Sequence, residues 1–385
     1  MNVLISGAGI AGLTLAYWLK NFGFEVAIVE KSPDLSHEGY MIDFYGSGFD
    51  VAEKMGIIER LRARHYPIPR LAYMDGQGRQ RAALEIDKLR ALLNYRHFNF
   101  MRGDLVQVLC EAIPGDVSLH FGTTITRLEQ QPDGVQVILA DGIRQTYDLV
   151  IGADGIHSRV RALVWGSESQ FENYLGYIVS CGIIENFLDE PAAFYTHLAP
   201  GRQAAVYSIR GDRLATFLIF KSPRPKVDGR STQFAALEDR FGEMDWVIPM
   251  VLSKMKTAER LYFDTASQIN VAQWHQGRVA LVGDACQCLT LVAGQGASMA
   301  MAGAYLLATA LHEADGDYQR AFPAYQAQLK PEIDQRQVQA QKFANTFVPG
   351  SRFGIWLTYA FLRLAFLPGF RSFLLKQVGA KSIIH

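Results

Sequence analysis

Apolar runs, helical periodicities and turn residues succeed one another along the chain in an order that predicts its elements. Val3-Leu4-Ile5 is a short apolar run closed by Gly7. Leu13 to Phe22 then repeats apolar residues at helical spacing, Gly23 ends it, and Val26-Ala27-Ile28-Val29 follows as a second apolar run. Strand, helix and strand make a βαβ opening. Residues 34–66 read as irregular and then helical around Asp50 to Arg64, with Pro67 and Pro69 marking a boundary. Residues 70–97 read as short strands around the turn Asp75-Gly76-Gln77-Gly78, and a helix opens at Gly103-Asp104 and runs through Glu111. Alternation from Val117 to Leu139 around Asp133-Gly134 signals a hairpin, and Leu149-Val150-Ile151 is a further buried strand. Between residues 170 and 270 aromatic and β-branched strands dominate, such as Val206 to Ile209 and Ala215 to Phe220. A polar loop, Lys221 to Arg230, precedes a helix near Thr232. Arg278 to Val282 returns to a buried strand, a long Ala-rich helix follows Gly296, residues 316–347 are helical and polar, and the last 35 residues are apolar again.

This order predicts an α/β fold: a Rossmann-like domain with a parallel sheet, a mixed-sheet second domain and C-terminal helices. The expected boundaries are 1–68, 98–168 and 270–340 for the first, discontinuous domain, 69–97 and 169–269 for the second, and 341–385 for the helical segment. A length of 385 residues with 49% hydrophobic content suits two domains with a large core.

Charge narrows the partners. The 38 basic and 38 acidic side chains balance, so no single-sign field is available to draw in nucleic acid. Cys110, Cys181, Cys286 and Cys288 form no C-x-x-C pair and no histidines cluster beside them, which disfavours zinc or a dithiol centre; no metal is expected. A chain this long does not need disulfide staples, so reduced thiols and a cytoplasmic location are the default expectation. The apolar first nineteen residues lack a basic n-region and carry glycines at fixed offsets, the mark of a strand and helix and not of a targeting segment.

Two constellations carry chemistry. Gly7-Ala8-Gly9-Ile10-Ala11-Gly12 fits G-x-G-x-x-G between a strand and a helix. Gly7 permits the tight turn, Gly9 lets a pyrophosphate approach the backbone, and Gly12 lets helix and strand pack closely. The helix N-terminus offers free N–H groups to phosphates. Glu30, at the end of the second strand, can accept both ribose hydroxyls of an adenosine and would repel a 2′-phosphate. The second constellation lies in Arg278 to Leu307. A buried strand delivers Asp284 at its C-terminal end, where it can accept hydrogen bonds from a polyol, and Gly294 and Gly296 let backbone approach a flat ring. The helix that follows would stabilise negative charge on a reduced flavin.

With both constellations in motif order, the chain resembles the class A flavoprotein monooxygenases, the para-hydroxybenzoate hydroxylase family. The glycine fingerprint, the Asp-Gly segment Asp148 to Arg161 with Asp154-Gly155, and the Gly-Asp segment at 283–284 all match. Within that family it looks most similar to the flavin-dependent tetracycline-inactivating monooxygenases, through Gly39-Tyr40-Met41-Ile42-Asp43 and Gly46-Ser47-Gly48. The resemblance implies an FAD-binding domain and a substrate domain, in place of the first and second domains above. It implies that Arg102 contacts the flavin nucleotide and that Asp43 sits near the flavin. Ala11, Lys31, Ile125, Asp154 and Ala297 complete the cofactor-binding residues it implies. Departures are Gln287, where the family often has His, Leu289-Thr290-Leu291-Val292, where it has prolines, and Ser36-His37, where the tetracycline enzymes carry an arginine for the nicotinamide cofactor.

The implied reaction is reduction of the flavin by NADH or NADPH, addition of dioxygen at C4a, and hydroxylation of an aromatic or polycyclic substrate by the flavin C4a-hydroperoxide. No protein nucleophile is required, and Tyr195 and His197 are the candidate substrate-facing side chains. The alternative is a flavin-dependent dehydrogenase or reductase without oxygen insertion. A second dinucleotide fingerprint is absent, which argues against two-domain flavin reductases and Baeyer–Villiger enzymes. Trp246-Val247-Ile248-Pro249 matches half of the W-x-W-x-I-P motif of flavin halogenases, but Met244 replaces its first Trp. Finally, Phe353 to Phe370 is apolar except for Thr358 and Arg363; it is short for a membrane span. Burial of this helix against both domains is the expectation, with weak peripheral membrane contact as the second reading.

Overall fold

The computed structural model describes residues 1–35, 40–189, 192–223, 229–364 and 382–384, with the side chain of Asn345 left out. Ser36, His37 and Gly39, and residues 365–370 of the terminal apolar run, therefore lie outside the described residues.

The apolar runs at the start of the chain build the centre of a six-stranded sheet. Asn2–Ser6 pairs in parallel with Glu25–Glu30 on one side and with Leu149–Gly152 on the other. Ser118–Phe121 extends the sheet beyond Glu25–Glu30, and Val279–Leu281 extends it beyond Leu149–Gly152, again in parallel; His275–Gln276 closes that edge antiparallel. Val3, Leu4, Ile5, Leu149, Val150 and Ile151 have no exposed surface, as expected for strands covered on both faces. The helices Ile10–Asn21 and Gly296–Glu313 pack together and join this core. Strands distant in sequence thus become neighbours at one sheet edge, where ligands bind in parallel α/β sheets.

The second sheet has seven strands, drawn from residues 70–85 and 172–269. Its order is Leu261–Ile269, Glu172–Glu185, Arg213–Lys221, Arg202–Ile209, Phe194–Ala199, Arg70–Met74 and Gln80–Glu85. Pairing is antiparallel except between Phe194–Ala199 and Arg70–Met74, so the sheet is mixed. One face packs on the helices Arg230–Phe241 and Ile248–Thr257 through Ile178, Leu218, Phe220, Leu237 and Phe241. The opposite face meets the loop carrying Leu291 and Val292 and the end of the long helix Tyr318–Phe347.

Several elements differ from the sequence reading. Met41–Tyr45 is a strand in the stretch read as irregular, and the helix read around Asp50 to Arg64 is two, Ser47–Lys54 and Ile58–Arg64. Ile86–Leu92 is a helix, not a strand, because Ile86, Leu89 and Leu93 recur at helical spacing. The described part of the terminal apolar run, the helix Arg352–Leu364, has no buried residue and lies against the edge strand Gln80–Glu85, so over these residues the expected burial against both domains does not hold.

Candidate active site

A cavity of about 590 Å³ opens where the two sheets meet. Its walls come from the turn Ser6 to Ala11, from Val29 to Ser32, from Ala153 to His157, from Asp284, from the loop Cys288 to Leu291 continuing to Gly296 and Ala297, and from Leu261 to Thr265 of the second sheet. The N-termini of two helices, at Ile10 and Gly296, open onto it. Their unpaired N–H groups give this space a positive end suited to anionic or electron-rich groups.

Local chemistry fixes the first wall. Gly7 has φ +110°, and a Cβ there would lie 2.5 Å from the Ala153 carbonyl oxygen. The turn therefore passes against the Asp-Gly segment with backbone alone between them. Glu30 holds the turn from the other side: the Ala8 N–H donates to its Oε2 at 2.8 Å and the Ser32 N–H to its Oε1 at 2.9 Å. Each carboxylate oxygen keeps a lone pair free for a hydroxyl. Asp284 is the single exposed residue between Val279 and Thr290, and its surface faces the cavity. Burial of its surroundings pushes its carboxyl up and the Arg102 charge pulls it down, with the upward effect larger. Such a carboxylate gains when hydroxyl donors replace lost water.

The model of the FAD binding domain family matches residues 1–320. The chain belongs to that family. A flavin-dependent monooxygenase of Legionella longbeachae is 32% identical over 365 residues, covering 94% of this chain and 90% of that protein. An uncharacterized protein of Mycobacterium tuberculosis is 37% identical over 340 residues, 87% of this chain and 91% of its own. The crystal structure of tetracycline destructase Tet(55) superposes with a TM-score of 0.86 at 29% identity, covering all of this chain and 98% of that one. Together these make the protein an FAD-dependent oxidoreductase of the class A monooxygenase type, with the α/β architecture read from its sequence.

The residues present fit FAD. The glycine turn offers backbone with no Cβ in the way at Gly9, where a Cβ would meet only Arg102 Nη2 at 3.7 Å. The lining brings together Gly7, Gly9, Ala11, Glu30, Lys31, Arg102, Asp154, Asp284, Gly294, Gly296 and Ala297. Gly12 sits beneath the turn, outside the lining, and Ile125 is fully buried while its neighbour Thr124 faces the cavity. Asp154 spends both carboxylate oxygens locally. Its Oδ1 accepts from Ser158 Oγ at 2.5 Å and its Oδ2 from the Arg159 and Val160 N–H groups, which caps the helix Arg159–Val164.

Asp43 is on the two-stranded sheet Met41–Tyr45 and His97–Met101 and is not part of the cavity lining, which takes its strand neighbour Ile42 instead. His97 Nε2 stands 3.1 Å from its Oδ1, and Asn99 Nδ2 donates to the same oxygen at 2.5 Å. Burial works to raise this carboxyl, but those hydrogen bonds and the His97 and Arg90 charges outweigh it and hold it below the usual carboxylate range. Tyr195 and His197 are on the other side of their strand. Both pack against Trp246 in the core under the two helices, with ring centroids 6.2 and 6.3 Å away. Strand alternation turns their neighbours Phe194 and Thr196 the opposite way. Phe194 stacks on Tyr207 at 4.7 Å, and the Met41 N–H donates to the Tyr207 hydroxyl at 2.7 Å.

Three contributors lie in segments the sequence reading singled out but were given no role of their own there. Arg161 is fully buried and donates to the carbonyls of Ala285 at 2.8 Å and Ile156 at 2.7 Å, locking the Asp-Gly segment to the Gly-Asp loop. Its position at the end of a matched motif was the available signal. His157 bridges Asp264 at 3.1 Å and Glu168 at 3.0 Å, joining the first domain to the second sheet. Thr290 lines the cavity at φ +90°, a conformation that β-branched residues rarely adopt. Gln287, by contrast, is buried under the Gly296 helix, donating to the Met299 carbonyl at 3.1 Å, and does not line the cavity.

Proposed function

We propose that the protein is an FAD-dependent monooxygenase that uses NADH or NADPH and dioxygen to hydroxylate an aromatic or polycyclic small molecule. The observation that carries this reading is a continuous cavity walled at one end by the glycine turn and Asp284 and at the other by Leu261 to Thr265 of the second sheet. Relatives named as a flavin-dependent monooxygenase and a tetracycline destructase support it. When bound, FAD supplies electron transfer and dioxygen activation. The chain supplies position, dryness and charge.

In this reading Glu30, Lys31, Arg102 and Ala11 hold the adenosine and pyrophosphate end, as the N–H groups at Gly9 and Ile10 meet the phosphates. Asp284 accepts from the polyol, and Gly294, Gly296 and Ala297 let the helix N-terminus stabilise negative charge on the ring. Asp43, kept ionised by His97 and Asn99, accepts a hydrogen bond from the ring or from substrate beside it. The substrate wall is Tyr262 and Phe263, which line the cavity, in place of Tyr195 and His197, which do not. Leu291 and Val292 pack on Phe217 and Ile219 and exclude water between the halves. Free thiols at all four cysteines suit a reducing cytoplasm.

The test is NAD(P)H oxidation by FAD-loaded protein with a panel of phenols and polyketides under labelled dioxygen. Substrate-stimulated oxidation with label in the product is the expected result. Oxidation without label would establish the dehydrogenase alternative instead.

A further inference from the structure

The terminal helix Arg352–Leu364 is apolar on two faces, and among the described residues only one of them is covered. Ile355, Thr358, Tyr359 and Leu362 recur at i, i+3, i+4 and i+7 and are partly buried toward the edge strand Gln80–Glu85. Tyr359 meets Tyr73 edge-on at 6.1 Å, and Arg363 donates to the Arg81 carbonyl at 2.7 Å. Phe353, Trp356, Leu357 and Leu364 occupy the opposite stripe, also at i, i+3, i+4 and i+11. They remain 68%, 61%, 48% and 43% exposed. Phe353 and Trp356 stack on each other at 5.9 Å, making a flat aromatic surface that faces outward. A surface helix normally turns charged residues to this side, so a contiguous outward apolar stripe needs a partner.

Charge identifies that partner. Residues 335–385 contain seven Lys and Arg (Arg336, Lys342, Arg352, Arg363, Arg371, Lys376 and Lys381) and no Asp or Glu. The first 334 residues are left with 31 basic and 38 acidic side chains, so a neutral chain is strongly polarised toward its C-terminal end. Arg352 and Arg363 flank the apolar stripe, near Trp356 on the helical wheel. An outward apolar face with aromatic residues, edged by arginines and embedded in a purely basic segment, matches an interfacial helix on an anionic bilayer. Thirteen residues are too few to span, and among the described residues no helix is long and apolar enough to cross a membrane. A second copy of the chain would bring Arg352 and Arg363 against the same two arginines, which disfavours self-association through this face.

We propose that the Arg352–Leu364 helix docks the protein peripherally on an anionic lipid surface, with Phe353, Trp356, Leu357 and Leu364 entering the headgroup boundary. The test is flotation of the FAD-loaded full chain with phosphatidylcholine vesicles and with phosphatidylcholine vesicles containing phosphatidylglycerol. The expected result is flotation with the phosphatidylglycerol vesicles alone, weakened by added salt, with a blue shift in emission that Trp356→Phe removes. The pair Leu357→Ser and Leu364→Ser, which keeps flavin absorbance and circular dichroism, should lower the bound fraction on the order of tenfold. Absence of flotation, equal flotation with neutral vesicles, or flotation unaffected by the serine pair would overturn the proposal. A dimer by light scattering that the serine pair converts to monomer would also overturn it, since the face would then be a self-interface.

Discussion

Gly12 occupies a place no other residue fits: a Cβ there would overlap the Gly7 carbonyl oxygen and press to 3.3 Å on Cγ2 of Ile5. Gly12→Ala should therefore cost roughly 1–3 kcal/mol or more by overpacking and open the turn. The expected outcome is protein purified without yellow colour and a lowered unfolding midpoint in urea. His157 gives a pH signature. Its hydrogen bonds to Asp264 and then to Glu168 raise its pKa to about 10, against an unfolded value of about 6.5. Because the folded value is the higher one, the stabilisation is complete below about pH 6.5 and is lost as pH rises toward 10. His157→Gln should remove that decline, seen as a flatter thermal midpoint between those pH values. Residues whose role depends on backbone alone, such as the fingerprint glycines, were legible because a motif and its flanking elements define them. Tyr195 and His197 were not, because a strand's two faces look alike until one knows that Trp246 and two helices cover that side.

At the scale of elements, the long helix Tyr318–Phe347 is tied to the site by paired amides. Gln337 Nε2 donates to the carbonyls of Ile269 at 2.8 Å and Cys288 at 2.9 Å, while Gln268 Nε2 donates to the Gln337 carbonyl at 2.8 Å. The clip joins helix, second sheet and cavity loop in a buried place, where unmatched carbonyls are costly. Gln337→Leu should lose about 1–3 kcal/mol in denaturant unfolding. It should also raise proteolytic cleavage within residues 288–294. Such a clip leaves no trace in hydropathy, since one glutamine among several in a polar helix reads as solvated. The Ile86–Leu92 helix was missed for a related reason: seven residues offer too few repeats to separate one period from another. The terminal helix misled in the opposite sense, because apolar content indicated burial when only half of it is covered.

For the molecule as a whole, the cofactor should act as a structural member. Its cavity takes residues from both sheets and from the loops between them, so only the assembled protein can bind it. FAD at a hundredfold excess over its Kd should add about 2.7 kcal/mol of stability. Scanning calorimetry should then show a melting temperature that climbs with FAD concentration, and a flat dependence would count against a site shared by the two halves. The alternation of strands and helices made the Rossmann half readable, and the aromatic strands made the mixed sheet readable. How the sheets face each other was not, because it depends on contacts between segments such as Val292 and Phe217 that are remote in sequence.

The order in which the six-stranded sheet fills has a consequence for biosynthesis. Asn2–Ser6 and Glu25–Glu30 leave the ribosome together, but the neighbours Leu149–Gly152 and Val279–Leu281 emerge much later, the last only after the entire second sheet. The nascent polypeptide must carry an apolar, unpaired strand edge through most of its translation. Pausing before Arg278 would strand it in that sticky half-built form, which makes this stretch the point where slow codons or absent chaperones would do most harm to yield.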